Sequence, residues 1–172
     1  MKNLIYKKID TEKNDLYKIL DNSNNSIQIK TGKMYLPFGL NVESSEKLNL
    51  KIEFDNIRDN TQQQHLYNLI NNIEKQNIKF LNCKSSDYIK LIKIKNKKYY
   101  PNIVVKILTK NKKPLVKINY KNKDDYLKTL YDLPEKSYIS LILEVGNLWK
   151  IKKKNNQFIY GMSIYAKNIT VY

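Results

Sequence analysis

Apolar residues between Tyr88 and Tyr172 come in short runs closed by turns, a rhythm that suits strands paired in hairpins and leaves little room for helix. The runs cover residues 88–95, 99–109, 115–120, 138–145, 148–153 and 158–172. Between them, residues 96–98, 110–114, Gly146 with Asn147, and 154–156 read as turns at hairpin spacing. Residues 121–135 break the rhythm as a Lys/Asp-rich excursion with room for one helical turn, ending at Leu133 and Pro134. Upstream, Leu48, Leu50, Ile52 and Phe54 alternate with Asn49, Lys51 and Glu53, which makes a half-buried strand. Residues 27–30 also alternate, 31–33 read as a turn, and 34–40 form an apolar strand that meets an irregular edge at Pro37 and Gly39.

One principal helix is expected over about residues 61–81, because Leu66, Leu69, Ile70, Ile73 and Phe80 fall at helical spacing among polar residues. Asp59, Asn60 or Thr61 can cap its start, and its apolar stripe would lid one end of a sheet. His65, within it, reads as a structural or exposed residue. Residues 1–26 read as a polar N-terminal extension, with a short helix fitting 4–20 and a loop at 21–26. Residues 27–172 read as one domain, since a chain of 172 residues can bury a core without staples. The class is mainly β with one principal helix (α+β), and a small barrel or a sandwich would satisfy the strand pattern.

Charge constrains the partner. The chain carries 32 Lys and Arg against 16 Asp and Glu, a formal charge of +16, which points to a polyanion. A richness in Lys, Asn, Ile and Tyr suggests an A+T-rich coding sequence, which accounts for lysine over arginine but not for the two-to-one excess over acids. Arg58 is the only arginine. Lysine is a flexible point charge, whereas the guanidinium fork reads guanine edges, so the surface suits phosphate contact above base readout. The cations cluster: Lys90, Lys93, Lys95, Lys97, Lys98, Lys106, Lys110, Lys112, Lys113, Lys117, Lys121 and Lys123 follow one another with no acid between Lys90 and Lys123. In the 115–120 run, alternation places Val116, Ile118 and Tyr120 on one face and Lys117 and Asn119 on the other. Aromatics are interleaved at Tyr88, Tyr99, Tyr100, Trp149, Phe158 and Tyr160. Stacking on such rings tolerates any base, which suits single strands. The expected nucleic-acid contacts are therefore Lys90, Lys93, Lys95, Lys97, Lys98, Tyr99, Tyr100, Lys106, Lys112, Lys113, Lys117, Trp149, Lys150, Lys152 and Tyr160, with single-stranded DNA as the partner.

Other chemistries find little support. Cys83 and His65 are single residues of their kinds, so neither an internal disulfide nor a usual zinc site is expected. No Gly-rich phosphate loop and no nucleophile–base pair is present. Asp124 and Asp125 read as solvated loop acids. Glu53 and Asp55 share a strand face and are the one carboxylate pair that a metal-assisted nuclease could use. The chain is expected to be neither an enzyme nor a carrier of metal or cofactor. No run approaches the length of a membrane span, so no membrane partner and an intracellular location are expected. A virion structural or genome-packaging protein is the alternative within the same nucleic-acid-binding theme.

The order of elements carries a resemblance. An apolar strand-turn entry, the 48–54 strand, one helix and a lysine-rich set of strands lead to residues 137–145, then Gly146, Asn147, Leu148 and Trp149, then Tyr160, Gly161, Met162, Ser163 and Ile164. Over roughly residues 27–172 this resembles the single-stranded-DNA-binding proteins of large nucleocytoplasmic DNA viruses, themselves similar to those of short-tailed bacteriophages. The resemblance implies an OB-like small β-barrel, a role in viral DNA replication, recombination or repair, and contacts through Trp149, Tyr160 and nearby lysines. It also implies replication proteins or self-association as partners, and the host cytoplasm, a viral replication site or the virion as the location. Phage members end in an acidic, aromatic-tipped tail that recruits such partners, whereas this chain ends at Ile169, Thr170, Val171 and Tyr172 without acids.

Overall fold

In the computed structural model the described residues are 3–9, 11, 15–44, 46–94, 96, 99–121 and 128–172. Alternation is obeyed where it is clearest. In β6 (Lys47–Glu53) Leu48, Leu50 and Ile52 are buried while Asn49, Lys51 and Glu53 face outward. The same holds in β9 (Asn102–Ile107), where Ile103, Val105 and Ile107 face the core and Val104 and Lys106 face out. The two strands pair antiparallel from Leu48↔Ile107 to Glu53↔Asn102, so their inward residues meet in one layer.

The remaining strands are β1 (Ile5–Ile9), β2 (Asp15–Leu20), β3 (Gln28–Lys30), β4 (Met34–Leu36), β5 (Asn41–Ser44), β7 (Tyr88–Ile89), β8 (Ile92–Lys93), β10 (Thr109–Lys110), β11 (Lys113–Pro114), β12 (Lys117–Tyr120), β13 (Ser137–Lys152) and β14 (Phe158–Val171). One helix, α1 (Thr61–Leu81), lies between β6 and β7, so the described residues are mainly β with a single α-helix among them. The main sheet runs β1-β2-β13-β4-β6-β9-β14-β12, and β13 also pairs with β14. β9 and β12 lie parallel to β14, and the other pairings along that path are antiparallel. β10 and β11 form a separate hairpin closed by Asn111 and Lys112, both at positive φ, the conformation a two-residue hairpin loop requires.

Two expectations are corrected. The described residues of the 4–20 stretch hold no helix: β1 and β2 pair antiparallel, and β2 pairs with β13 from Lys18↔Asn147 to Asp15↔Lys150. Ile and Tyr suit a pleated surface, and the unpaired stretch of β13 supplies the partner that local periodicity cannot reveal. Gly146 and Asn147 form no turn, because β13 continues through them with a bulge between Val145 and Leu148. A Cβ at Gly146 would run into the ring of Tyr165, so the glycine lets that ring close over the bulge. The strand thereby bends, with its first part serving β3 and β4 and its last part serving β2.

The helix spans the expected residues. Asn60 caps it by accepting from the Gln62 and Gln63 amides, and Asn82 ends it in the left-handed conformation. Leu66, Ile70 and Ile73 enter the core, while Phe80 stacks on Tyr6 of β1 at 4.0 Å between ring centroids. Three polar residues share the buried face: Gln63, Glu74 and Asn77. Asn77 accepts from the Tyr6 hydroxyl at 2.9 Å and donates to Tyr88 Oη at 2.9 Å. Burial pushes the Tyr6 hydroxyl up to about 12 and raises that of Tyr88 further.

Glu74 is only 2 % exposed. Its Oε1 accepts from the Leu91 amide at 2.6 Å, and Oε2 has no partner. Burial raises its pKa, against the lowering effect of the Leu91 amide and Lys90. The folded state therefore keeps the proton to higher pH than the unfolded chain does. The contribution to stability is full below the ordinary glutamate range and is lost as pH rises through the raised value. Glu74→Gln should melt at a higher temperature than the parent at pH 8, with the gap closing toward pH 4; thermal melts by circular dichroism across that range check this.

Candidate nucleic-acid interface

The outward residues of β6 and β9 floor a groove formed by two adjoining cavities of about 720 and 680 Å³, which share Glu43, Asn49 and Val104. Alternation aims Asn49 and Lys51 of β6 and Val104 and Lys106 of β9 into it, with Asn49 opposite Lys106 and Lys51 opposite Val104. β5 folds back along β6, and Tyr165 of β14 closes the side beyond Lys106. The dimensions fit a ligand of several ring-sized groups.

Two aromatic rings stand at the second cavity. Phe38 is 57 % exposed in the turn after β4, where Pro37 and Gly39 flank it. Tyr131 is 56 % exposed on a 3-10 turn, Leu130–Asp132. That turn is fixed by a capping box: Thr129 accepts from the Tyr131 amide, and the Asp132 carboxylate accepts from the Thr129 amide and hydroxyl, each at 2.7 Å. The Thr129 amide bond, then the hydroxyl bond, hold the Asp132 carboxyl below its ordinary value. Lys51 lies 5.2 Å from the Phe38 centroid and pairs with Glu53 at 3.0 Å. Both rings offer exposed aromatic surface, and a cation stands beside Phe38.

Five lysines line the groove (Lys47, Lys51, Lys93, Lys106 and Lys112) against Glu43, Glu46 and Glu135. Lys106 donates to Ser163 Oγ at 3.2 Å, which ties its ammonium to the β14 side. The lysine run that is acid-free in sequence therefore shares its space with carboxylates from other segments.

Of the residues expected from sequence, Lys93, Lys106 and Lys112 are brought together here. Lys95, Lys97, Lys98 and Lys123, with Asp124 and Asp125, lie outside the described residues. Lys90 is exposed after β7. Tyr99 and Tyr100 are 61 % and 53 % exposed, and they line a separate cavity of about 540 Å³ with Asp55, Arg58 and Asp59. Lys113 faces Lys110 across the small hairpin, and Lys110 and Lys121 are exposed. Lys117 is exposed on β12, whose Ile118 and Tyr120 pack on the core as the alternation requires. Trp149 lies across Gly161, where a Cβ would strike the indole, so its ring covers the sheet. Lys150 pairs with Asp15 at 3.4 Å and sits 4.4 Å from the Phe158 centroid. Tyr160 packs against the core, and Lys152 is exposed near the end of β13.

The carboxylates weighed for metal chemistry are engaged elsewhere. Glu53 holds Lys51, and Asp55 accepts from Gln63 Nε2 at 2.9 Å and from the Tyr138 hydroxyl at 2.7 Å. Phe38, Lys47, Asn49, Lys51, Tyr131 and Tyr165 were not anticipated. The outward alternation of β6 signals Asn49 and Lys51, and an apolar ring held between Pro37 and Gly39 signals Phe38; nothing local signals Tyr131. Comparison with protein-family models and with curated proteins finds no match.

Because both rings are largely exposed, truncating them should leave the fold intact. The double variant Phe38→Ala, Tyr131→Ala is expected to melt within about 2 °C of the parent. It should bind oligo-dT roughly five- to hundredfold more weakly for each stacked base lost. Fluorescence anisotropy beside a thermal melt measures both.

Proposed function

We propose that the protein binds single-stranded nucleic acid, single-stranded DNA above all, without sequence preference and without catalysis. The strand lies along the groove over β6 and β9. The groove carries this reading: it joins exposed rings to lysine ammoniums, the pairing of stacking platform and phosphate contact that a single strand needs.

The strand order supports the same reading. β4, β6, β9, β14 and β13 pair in a circuit, each with the next and β13 again with β4. Numbered along the chain, that order is first, second, third, fifth, fourth, then back to the first, with the third and fifth strands parallel. We read it as an OB-like barrel. Barrels of this type take oligonucleotides across their second and third strands, which here are β6 and β9. A role in coating exposed DNA during viral replication, recombination or repair rests on the sequence resemblance over residues 27–172.

Anisotropy titrations with oligo-dT and a matched duplex across a range of salt test the reading. Four or five phosphates neutralised by the groove lysines predict a log–log salt slope of about −3 for the single strand. The single strand should bind more tightly than the duplex. Equal affinity for duplex, with recovery of the protein from virus particles, would favour genome packaging, and a flat salt response would remove the phosphate contacts. Lys106→Glu should weaken binding more than Lys117→Glu, which changes a lysine outside the groove.

A further inference from the structure

A fourth cavity, of about 520 Å³, shares no lining residue with the groove. Its walls are Lys30 and Lys33, which flank the β3–β4 turn, Lys121 after β12, Ser140 of β13, Tyr172 after β14, and the first turn of α1. Lys33 and Lys121 both direct their ammoniums at the Tyr172 ring, 4.3 and 4.0 Å from its centroid. The two cations therefore lie no further apart than those distances end to end. No carboxylate side chain among the described residues lines the cavity, and none pairs with Lys30, Lys33 or Lys121. Like charges brought this close repel one another, and an anion placed among them reverses the sign of the interaction.

We propose that this cavity is a phosphate-binding site in which Lys30, Lys33 and Lys121 surround a phosphate group and the Ser140 and Tyr172 hydroxyls complete its shell. The two hydroxyls are hydrogen-bonded to each other at 3.2 Å, so one proton is held between them and the other is left to turn toward a guest. The Ser140 bond, then the two ammoniums, hold the Tyr172 hydroxyl below its ordinary pKa. Lysine ammoniums bind phosphate oxygens as point charges through short, charge-assisted hydrogen bonds. The backbone at Gly32 comes close to Gln62 of α1, where a Cβ would collide with the glutamine side chain, so the turn bearing Lys33 is held tightly against the helix. The site stands whether or not the groove takes a strand. Its phosphate could come from a nucleic-acid strand or from a free phosphate compound.

The test is an amide NMR titration of the full chain with inorganic phosphate. Saturable shifts are expected at Gly32, Lys33, Lys121 and Tyr172, with affinity at least about fivefold weaker in Lys33→Gln, Lys121→Gln. Lys33→Gln alone provides a milder variant should the double one fail to fold. Absence of saturable shifts, or shifts unchanged in both variants, would overturn the proposal. The Phe38→Ala, Tyr131→Ala protein should keep the phosphate shifts, which separates failure of this site from failure of the groove. Oligo-dT with and without a 5′-phosphate then distinguishes the sources. Preference for the phosphorylated end, lost in the double variant, assigns a strand terminus. An equal loss for both oligonucleotides assigns backbone phosphate, and no loss for either, with the inorganic phosphate shifts intact, assigns a free phosphate compound.

Discussion

β13 and β14 pair from Ile139↔Val171 to Lys152↔Phe158, and β2, β3, β4, β7, β9 and β12 each pair directly with one of the two. β13 spans 16 residues: β14 lines one edge from Ile139 to Lys152, and the other edge is shared by β4, β3 and β2 in turn. β14 carries β12, β7 and β9 in parallel. The pairing is durable because both strands turn buried residues to the same side: Ile139, Leu141, Leu143 and Val145 from one, Ile164, Ala166, Ile169 and Val171 from the other. It also fixes the groove, since Tyr165 of β14 faces Lys106 of β9 and Ser163 receives the lysine's ammonium.

Helix α1 completes the enclosure with a polar inner face. Gln63 donates to Asp55 and to the Lys33 carbonyl and accepts from the Asn56 amide, so the start of the helix is tied to the end of β6 and to the β3–β4 turn. Asn77 bonds Tyr6 and Tyr88, tying its far end to the N-terminal hairpin and to β7. Apolar packing alone would let a helix slide over a sheet, whereas satisfied buried hydrogen bonds fix its position. Glu74 is the incomplete member of this face, and its unpartnered oxygen makes the local stability depend on pH.

Much of the fold was legible because it rests on local pattern. Leu48, Leu50 and Ile52 had to share one face, and α1 had both a stripe and capping residues. What stayed hidden depends on partners distant in sequence. Tyr6 and Ile19 read as parts of a loose helix until they pair with each other across β1 and β2, the second of which takes an edge of β13, and Gly146 reads as a turn until Tyr165 fills the space above it. The site was less legible for the same reason. The described lysines from Lys90 to Lys121 are neighbours along the chain, but the structure carries them to several surfaces, and the groove draws Lys47, Lys51, Phe38 and Tyr131 from other segments.

The groove's mixed charge bears on which nucleic acid it suits. A surface of lysines alone attracts any polyphosphate, and duplex DNA, with its greater linear charge density, would compete strongly for it. Glu43, Glu46 and Glu135 reduce that unselective attraction, so under the proposed function more of the binding energy would come from Phe38 and Tyr131. A ring can stack only on a base face, and a duplex keeps those faces stacked inside itself. In this reading selectivity for single strands comes from the exposed rings, while the lysines set how firmly the strand is held. The cavity at Tyr172 has the opposite balance, with three lysines, no lining carboxylate side chain among the described residues, and a ring already covered by ammoniums. Such a place suits a compact anion rather than a base, which is why the two sites are assigned different parts of the same ligand chemistry.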